Sequence, residues 1–268
     1  MGTESRNPNT THIDKASTYE MLSMIQAENV YATAVVGRVL SKIEKAVDAV
    51  VEGIEVGGRL FYMGAGTSGR LGVIDAAECP PTFGVDPGLV IGIIAGGSDC
   101  MFRAAEGEED SGESGIADLA AYNITKNDRI VGISAAGNAA YVADALAYAR
   151  SIGGTTIGIT ANEGSRLANE SDIAIVAETG AEAITGSTRM KAGTAQKLIL
   201  NMISTCVMIK TGKVYENLMI NLKPSNVKLR RRVISIVTEI CGCDEAKAIE
   251  LLNAHNWVIR DAIDAYKL

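Results

Sequence analysis

Along the first quarter of the chain, apolar residues recur every three or four positions; beyond it they contract into short runs separated by helical stretches. Ser17-Thr18-Tyr19-Glu20 has the form of a capping box and predicts a short helix through Met21, Leu22, Met24 and Ile25. Val35, Val36, Val39, Leu40, Ile43, Val47, Val50 and Val51 predict a longer one from about Ala32 to Glu55, stopped by Gly57-Gly58. Leu60–Met63, Leu89–Ala95, Ile130–Ser134, Thr155–Thr160 and Ile173–Val176 then read as strands, with helical patterns between them, notably Tyr141–Arg150. Short apolar strands alternating with helices imply an α/β, three-layer sandwich: a central parallel sheet of about five strands covered on both faces. Right-handed crossovers put every strand-to-helix loop on the carboxyl edge, where ligands of such folds bind.

A long helix is predicted from about Met190 to Thr211, ended by Gly212. After Lys223-Pro224-Ser225 the pattern changes, and Asn226–Ile240, Asp244–Ala254 and Trp257–Tyr266 read as three short helices. The expected division is a unit 1–223, opening with a polar arm over residues 1–16, and a small C-terminal helical unit 224–268. No internal repeat or low-complexity tract is visible.

Composition narrows the function. Of 268 residues, 47% are hydrophobic, which allows a large core, and the 28 glycines suit the turns of an α/β fold. A net charge of −7 argues against a nucleic-acid partner, yet backbone N–H groups can hold a small anion inside an acidic protein. Five cysteines without a C-x-x-C pair, and only His12 and His255, make a disulfide framework or a metal site improbable; Cys241-Gly-Cys243 reads as two reduced thiols. The N-terminus has no apolar signal core, Asn7 stands where a myristoylation pattern wants a hydroxyl, and no run of about 18 apolar residues exists. The expectation is a cytoplasmic chain with no membrane span.

Candidate chemistry gathers at the predicted carboxyl edge. Gly64-Ala65-Gly66-Thr67-Ser68-Gly69 fits G-x-G-x-x-G, but the second strand ends in Ala95-Gly96-Gly97 without the carboxylate that would hold a ribose. Thr67 and Ser68, with free N–H groups beside them, suit a phosphate monoester instead. Ser134-Ala135-Ala136-Gly137-Asn138 and Thr185-Gly186-Ser187-Thr188-Arg189 supply hydroxyls at two further loops. Gly66, Thr67, Ser68, Gly69, Ser134, Gly137, Ser187 and Arg189 are therefore the candidate phosphate-binding and substrate-binding residues. Glu78, before Pro80-Pro81 at a predicted helix end, meets the unfavourable end of the helix dipole. Glu109 lies in the acidic run Glu106-Gly107-Glu108-Glu109-Asp110, a pattern also common on solvated surfaces. Two carboxylates near a sugar allow general acid–base chemistry, each role contributing about 10²–10⁴ in rate.

Two long strings, Phe61 to Gly72 continuing through Asp75-Ala76-Ala77-Glu78-Cys79-Pro80-Pro81-Thr82-Phe83-Gly84, and Thr185 to Lys197, resemble the signature of the N-acetylmuramic acid 6-phosphate etherase family. Glu4–Thr10 and Gly212–Met219 are also similar to that family, and the likeness covers about residues 3–235. The resemblance implies a sugar isomerase domain, a homodimer, no cofactor, and N-acetylmuramic acid 6-phosphate as substrate. Its D-lactyl ether would be cleaved by elimination and hydration, in amino sugar catabolism and cell-wall recycling. The family's catalytic glutamates fall on Glu78 and Glu109. Glu78 is assigned as the acid that protonates the departing lactate oxygen and Glu109 as the base at C2, the division of roles between them staying open.

At one loop the chain departs from the family. A Ser-Gly-Arg-Thr-Pro-type sequence is usual there, and Ala136-Gly137-Asn138-Ala139-Ala140 lacks two hydroxyls and a guanidinium, which bears on affinity and on substrate. The segment 242–263 resembles a small ubiquitin-associated-type three-helix unit. Two other functions are consistent with the loops: a non-catalytic sugar-phosphate regulator and an aldose–ketose phosphosugar isomerase. Both carboxylates being present favours the lyase.

Overall fold

The structure, a computed structural model, describes residues 2–222, 224 and 226–267. In chain order it holds α1 (Thr18–Gly37), α2 (Leu40–Glu55), β1 (Leu60–Gly64), α3 (Gly66–Phe83), β2 (Val90–Ile94), α4 (Gly112–Ala120), β3 (Arg129–Ile133), α5 (Ala140–Ser151), β4 (Thr155–Thr160), α6 (Arg166–Glu170), β5 (Ile173–Val176) and α7 (Lys191–Lys210). After these come β6 (Val214–Tyr215), β7 (Leu218–Met219), α8 (Val227–Cys241), α9 (Glu245–Ala254) and α10 (Ile259–Lys267). The chain divides into two compact units, Met1–Ala77 with Gly88–Val207, and Glu78–Pro87 with Met208–Leu268. Of the junction expected at Lys223-Pro224-Ser225, Lys223 and Ser225 lie outside the described residues.

The first unit is built on a five-stranded parallel sheet in the order β2-β1-β3-β4-β5. Every residue of β1 is buried, as expected of a central strand covered on both faces. Phe61 and Met63 point to one face and pack with Ile130, Leu119, Tyr141, Val142, Leu146 and Leu167, which brings α4, α5 and α6 onto that side. Tyr62 and Ile133 point to the other, where Gly72 of α3 comes so close that a Cβ there would stand 2.9 Å from the Tyr62 Cβ. These are the three layers that strand–helix alternation implies.

Two boundaries differ from the sequence reading. The break expected between Ile25 and Ala32 falls instead at Arg38-Val39, so α1 is a single helix of 20 residues. The polar stretch around Glu28 stays helical because Glu28 is buried and ion-paired, while Gly37, a weak helix former, sits next to the real break. Pro80-Pro81 were expected to end their helix, yet α3 continues to Phe83. The prolines occupy its last turn, and the Gly84 N–H closes that turn on the Pro80 carbonyl at 2.9 Å. Among the described residues one helix, Lys191–Lys210, is long and apolar enough to cross a membrane, and 56% of that stretch is buried, as in the core helix of a folded domain.

The second unit has its own core. Val233, Ile236 and Val237 of α8 pack with Ala248, Leu251 and Leu252 of α9 and Ile259, Ala262 and Ile263 of α10, together with Ile220 and Leu222. Asn226 and Asp244 cap α8 and α9 through their side chains, and Gly242 turns the chain between them with φ +63°. β6 and β7 form a short antiparallel hairpin, and Arg260 Nη2 donates to the carbonyls of Gly212 and Val214 at 3.0 and 3.3 Å.

Candidate active site

The carboxyl end of β1 delivers the chain into the tight turn Ala65-Gly66. Gly66 has φ +52°, a conformation costly for other residues, and Gly69 must be glycine because a Cβ there would stand 2.4 Å from the Gly64 carbonyl oxygen. The turn lets α3 start against the strand end. The Gly69 N–H donates to the Ala65 carbonyl at 3.1 Å, and among the described residues the N–H groups of Gly66, Thr67 and Ser68 have no acceptor. They make the electropositive start of a helix.

These residues line a hollow of about 290 Å³ together with Glu4, Glu109, Ile133, Ser134, Ala135, Ala136, Ala139, Gly186 and Thr188. Three of the loops singled out in the sequence therefore meet there, with one of the two carboxylates. No lysine or arginine is among the described residues lining it, so an anion in this hollow relies on backbone N–H and hydroxyl donors, in a wall that also holds Glu4 and Glu109. The Ser134 hydroxyl accepts the Gly137 N–H at 3.1 Å, which leaves its own proton for a ligand. The Ser68 hydroxyl is spent differently, donating to Gln196 Oε1 at 3.0 Å.

Gly137 shapes its loop rather than lining the hollow. It has φ +78°, a Cβ there would stand 2.3 Å from the Ser165 hydroxyl, and its carbonyl accepts the Leu167 N–H at 2.9 Å. The exposed Asn138 accepts the Arg166 N–H on its side-chain oxygen at 3.1 Å. At this loop the hollow is lined by Ser134, Ala135, Ala136 and Ala139.

The start of α7 is closed to an anion. The buried Glu182 carboxylate accepts the Lys191 N–H at 2.9 Å and the Ala192 N–H at 3.0 Å, and the Gly193 N–H goes to the Thr188 carbonyl at 3.0 Å. Lys191, also buried, pairs with the buried Glu28 of α1 and lies 5.3 Å from the centre of the Tyr31 ring. Burial pushes the Glu28 carboxyl up, and the hydrogen bonds from Lys191 and Asn9 with the Lys191 charge outweigh it, so the group stays below the usual carboxylate range. In the segment between Glu182 and Lys191, Gly186 and Thr188 face the hollow, whereas Ser187 and the exposed Arg189 line neither it nor its neighbour.

The neighbour is a second hollow of about 280 Å³, lined by Ala65, Gly66, Arg70, Ala95, Cys100 and residues 104–109. Glu109, on a short 3₁₀ turn after the left-handed Gly107, belongs to both walls. Arg70, in the wall of this second hollow, gives two of its five N–H groups to the carbonyls of Met101 and Arg103, at 3.1 and 3.3 Å. Glu78 is exposed, lines neither hollow, and stands twelve residues beyond Gly66, more than three turns along α3.

Known proteins share this fold. The model of the SIS domain matches residues 105–205, that of the glucokinase regulatory protein N-terminal SIS domain matches 42–150, and that of the UBA-like domain matches 234–266. A phosphoheptose isomerase from Francisella tularensis superposes with a TM-score of 0.58 over 72% of this chain and 100% of its own, at 17% identity, which is a likeness of fold. N-acetylmuramic acid 6-phosphate etherases of Clostridium beijerinckii and Bacillus subtilis are 52% and 51% identical to this chain over 261 residues, covering 97% of it and 86% of each relative. The chain belongs to the N-acetylmuramic acid 6-phosphate etherase family.

Three residues of this etherase-family chain escaped the sequence reading. Glu4 reaches the hollow because its arm is pinned on both sides: the Thr3 N–H donates to Asn162 Oδ1 at 3.1 Å, Asn7 Nδ2 to the Ala181 carbonyl at 3.0 Å and the Thr10 hydroxyl to the Ala183 carbonyl at 2.8 Å. Glu182 and Gln196 act through α7 on the two neighbouring loops. For Glu182 the one sequence signal is a carboxylate inside a stretch of small residues, and Glu4, in a polar arm, has none.

Proposed function

We propose that this chain cleaves the D-lactyl ether of N-acetylmuramic acid 6-phosphate, as a carbon–oxygen lyase yielding N-acetylglucosamine 6-phosphate and D-lactate. About half its residues are identical to those of the family over nearly its whole length, and that observation carries the reading. The phosphate is bound at the Thr67, Ser68 and Ser134 end of the hollow, by hydroxyls and by the N–H groups that open α3. That leaves the sugar carbons toward Glu109.

With the ring open, the C1 aldehyde acidifies the C2 hydrogen. Glu109 takes that proton, the C3–oxygen bond breaks, and Glu78 protonates the departing lactate oxygen. Water then adds to C3 with Glu78 as its base, while Glu109 returns its proton to C2. Each carboxyl group ends as it began, and one water is consumed. In a cytoplasmic homodimer, Glu78 comes to the reacting atoms either from the same chain or from the second copy. Glu4 accepts hydrogen bonds from sugar hydroxyls.

The test is D-lactate release from N-acetylmuramic acid 6-phosphate by wild type, Glu78→Ala and Glu109→Ala. Each variant should lose about 10²–10⁴ in rate, the contribution of one acid–base group. If Glu78 serves the partner's site, mixing the two inactive variants restores up to about a quarter of wild-type activity, because one site in four then holds both carboxylates. Binding of sugar phosphates without lactate release by wild type would favour a non-catalytic regulator.

A further inference from the structure

Ser68 and Ser134 stand in the same hollow with opposite hydrogen-bond polarity. Ser134 accepts from the Gly137 N–H and keeps its proton for a ligand. Ser68 gives its single proton to Gln196 Oε1 and so offers a ligand only lone pairs. A phosphate monoester is an acceptor on every non-bridging oxygen once ionised, and lone pairs facing it repel it.

Gln196 carries the complementary anomaly. It is 4% exposed, and its Nε2 is buried with no hydrogen-bond partner. An orphaned buried donor costs about 1–3 kcal/mol, and an orphaned carbonyl is better tolerated. The two ends of a glutamine amide are nearly isosteric, so a half-turn of the amide exchanges them within the same space. After the turn Nε2 donates to the Ser68 oxygen, the orphan becomes a carbonyl, and the Ser68 proton is released toward the hollow.

We propose that Gln196 is the positioning residue for Ser68: with its Nε2 turned to the Ser68 oxygen, the amide directs the Ser68 proton to a sugar phosphate, so that Ser68 becomes a phosphate donor alongside Ser134. The proposal rests on the reading of the hollow as the phosphate site. No covalent step is involved, and only the polarity of one hydrogen bond reverses. A side chain that only accepts should therefore trap Ser68 in the wrong polarity, whereas an apolar one of similar length should merely leave it unguided.

The test measures affinity for N-acetylglucosamine 6-phosphate and steady-state lactate release in Gln196→Glu, Gln196→Met, Ser68→Ala and the double variant Ser68→Ala/Gln196→Glu, each checked for folding by its melting temperature. Gln196→Glu should weaken phosphosugar binding about 10- to 100-fold, the worth of a hydrogen bond to a charged group, with the loss in KM rather than kcat. Gln196→Met should lose less than tenfold. Ser68→Ala should lose as much as Gln196→Glu, and the double variant little more than either, because both changes remove one donor. Losses that multiply in the double variant, or a Met variant as weak as the Glu variant, would overturn the proposal while leaving the phosphate site standing. A folded wild type with no affinity for the phosphosugar would sink both.

Discussion

Glu182 Oε2 accepts the Lys191 N–H at 2.9 Å, in a place where neither side chain is appreciably exposed. With Oε1 on the Ala192 N–H, the carboxylate takes over the positive end of α7 and fixes both ends of the segment that brings Gly186 and Thr188 to the hollow. Glu182→Gln keeps the shape but turns an amide N–H toward one of those donors. It should cost about 2 kcal/mol, the scale of a buried hydrogen bond to a charged group. Urea unfolding with lactate assays would check this: the destabilisation should be accompanied by a raised KM, and an unchanged midpoint would show that the cap is dispensable.

The Lys191 side chain points the other way, to Glu28. Removing one member of a buried ion pair leaves the other charge unpaired, which costs about 3–5 kcal/mol. Lys191→Ala should be destabilised on that scale, and Glu28→Gln/Lys191→Met, which removes both charges, should recover most of it. Thermal melts of the three proteins decide the matter. If the double variant is no better than Lys191→Ala, packing rather than the unpaired carboxylate is the cause.

How much of this could be read in the chain depended on how local its cause was. The strands were visible because a strand buried on both faces has to be an apolar run, as Leu60–Met63 is. The Gly64–Gly69 turn was visible because backbone geometry alone demands glycine there. The break between α1 and α2 was misplaced because Glu28 looks like a solvent-facing residue until Lys191, 163 positions away, is known to meet it. Ser68 could be singled out, but not the direction of its proton, which is set by Gln196 at a separation of 128 residues. Glu4 sat in a polar arm without periodicity, and only the buried anchors at Thr3, Asn7 and Thr10 give that arm a fixed place.

Asp75 offers a pH-dependent test of the core below the α3 turn. It is 5% exposed, and burial raises its carboxyl above the usual range against the opposing pull of Ser204, Lys197 and Tyr62. At a pH below the unfolded-state value, about 3.9, the group is neutral folded and unfolded and takes nothing from stability. As pH rises from there to the raised folded value, the unfolded chain ionises first and stability is lost. Above the folded value the loss is complete and constant. Asp75→Asn, which keeps the shape and does not ionise, should therefore gain on wild type as pH climbs from 4 to 7. Unfolding midpoints of the two proteins across that range would show it; a gap that is constant or narrows with pH would mean that burial does not dominate at this carboxyl.

The N-terminal arm yields the last prediction. Asn7 and Glu4 lie three residues apart, yet one anchors the arm and the other faces the hollow beside Glu109. Asn7→Ala abandons the buried Ala181 carbonyl and should lower stability by about 1–3 kcal/mol, the cost of leaving a buried polar group unmade. Glu4→Gln keeps a side-chain oxygen for the Thr3 hydroxyl, which donates to Glu4 Oε1 at 3.5 Å, so its melting temperature should stay near the wild-type value while kcat/KM for lactate release falls by about tenfold, the worth of one charge-assisted hydrogen bond to a sugar hydroxyl. The two changes thus separate holding the arm from using it. Were Glu4→Gln to keep full kcat/KM, the carboxylate would be a bystander on the wall and the arm only a cover; were it to fall as far as Glu109→Ala, Glu4 would have to be counted among the groups that move protons.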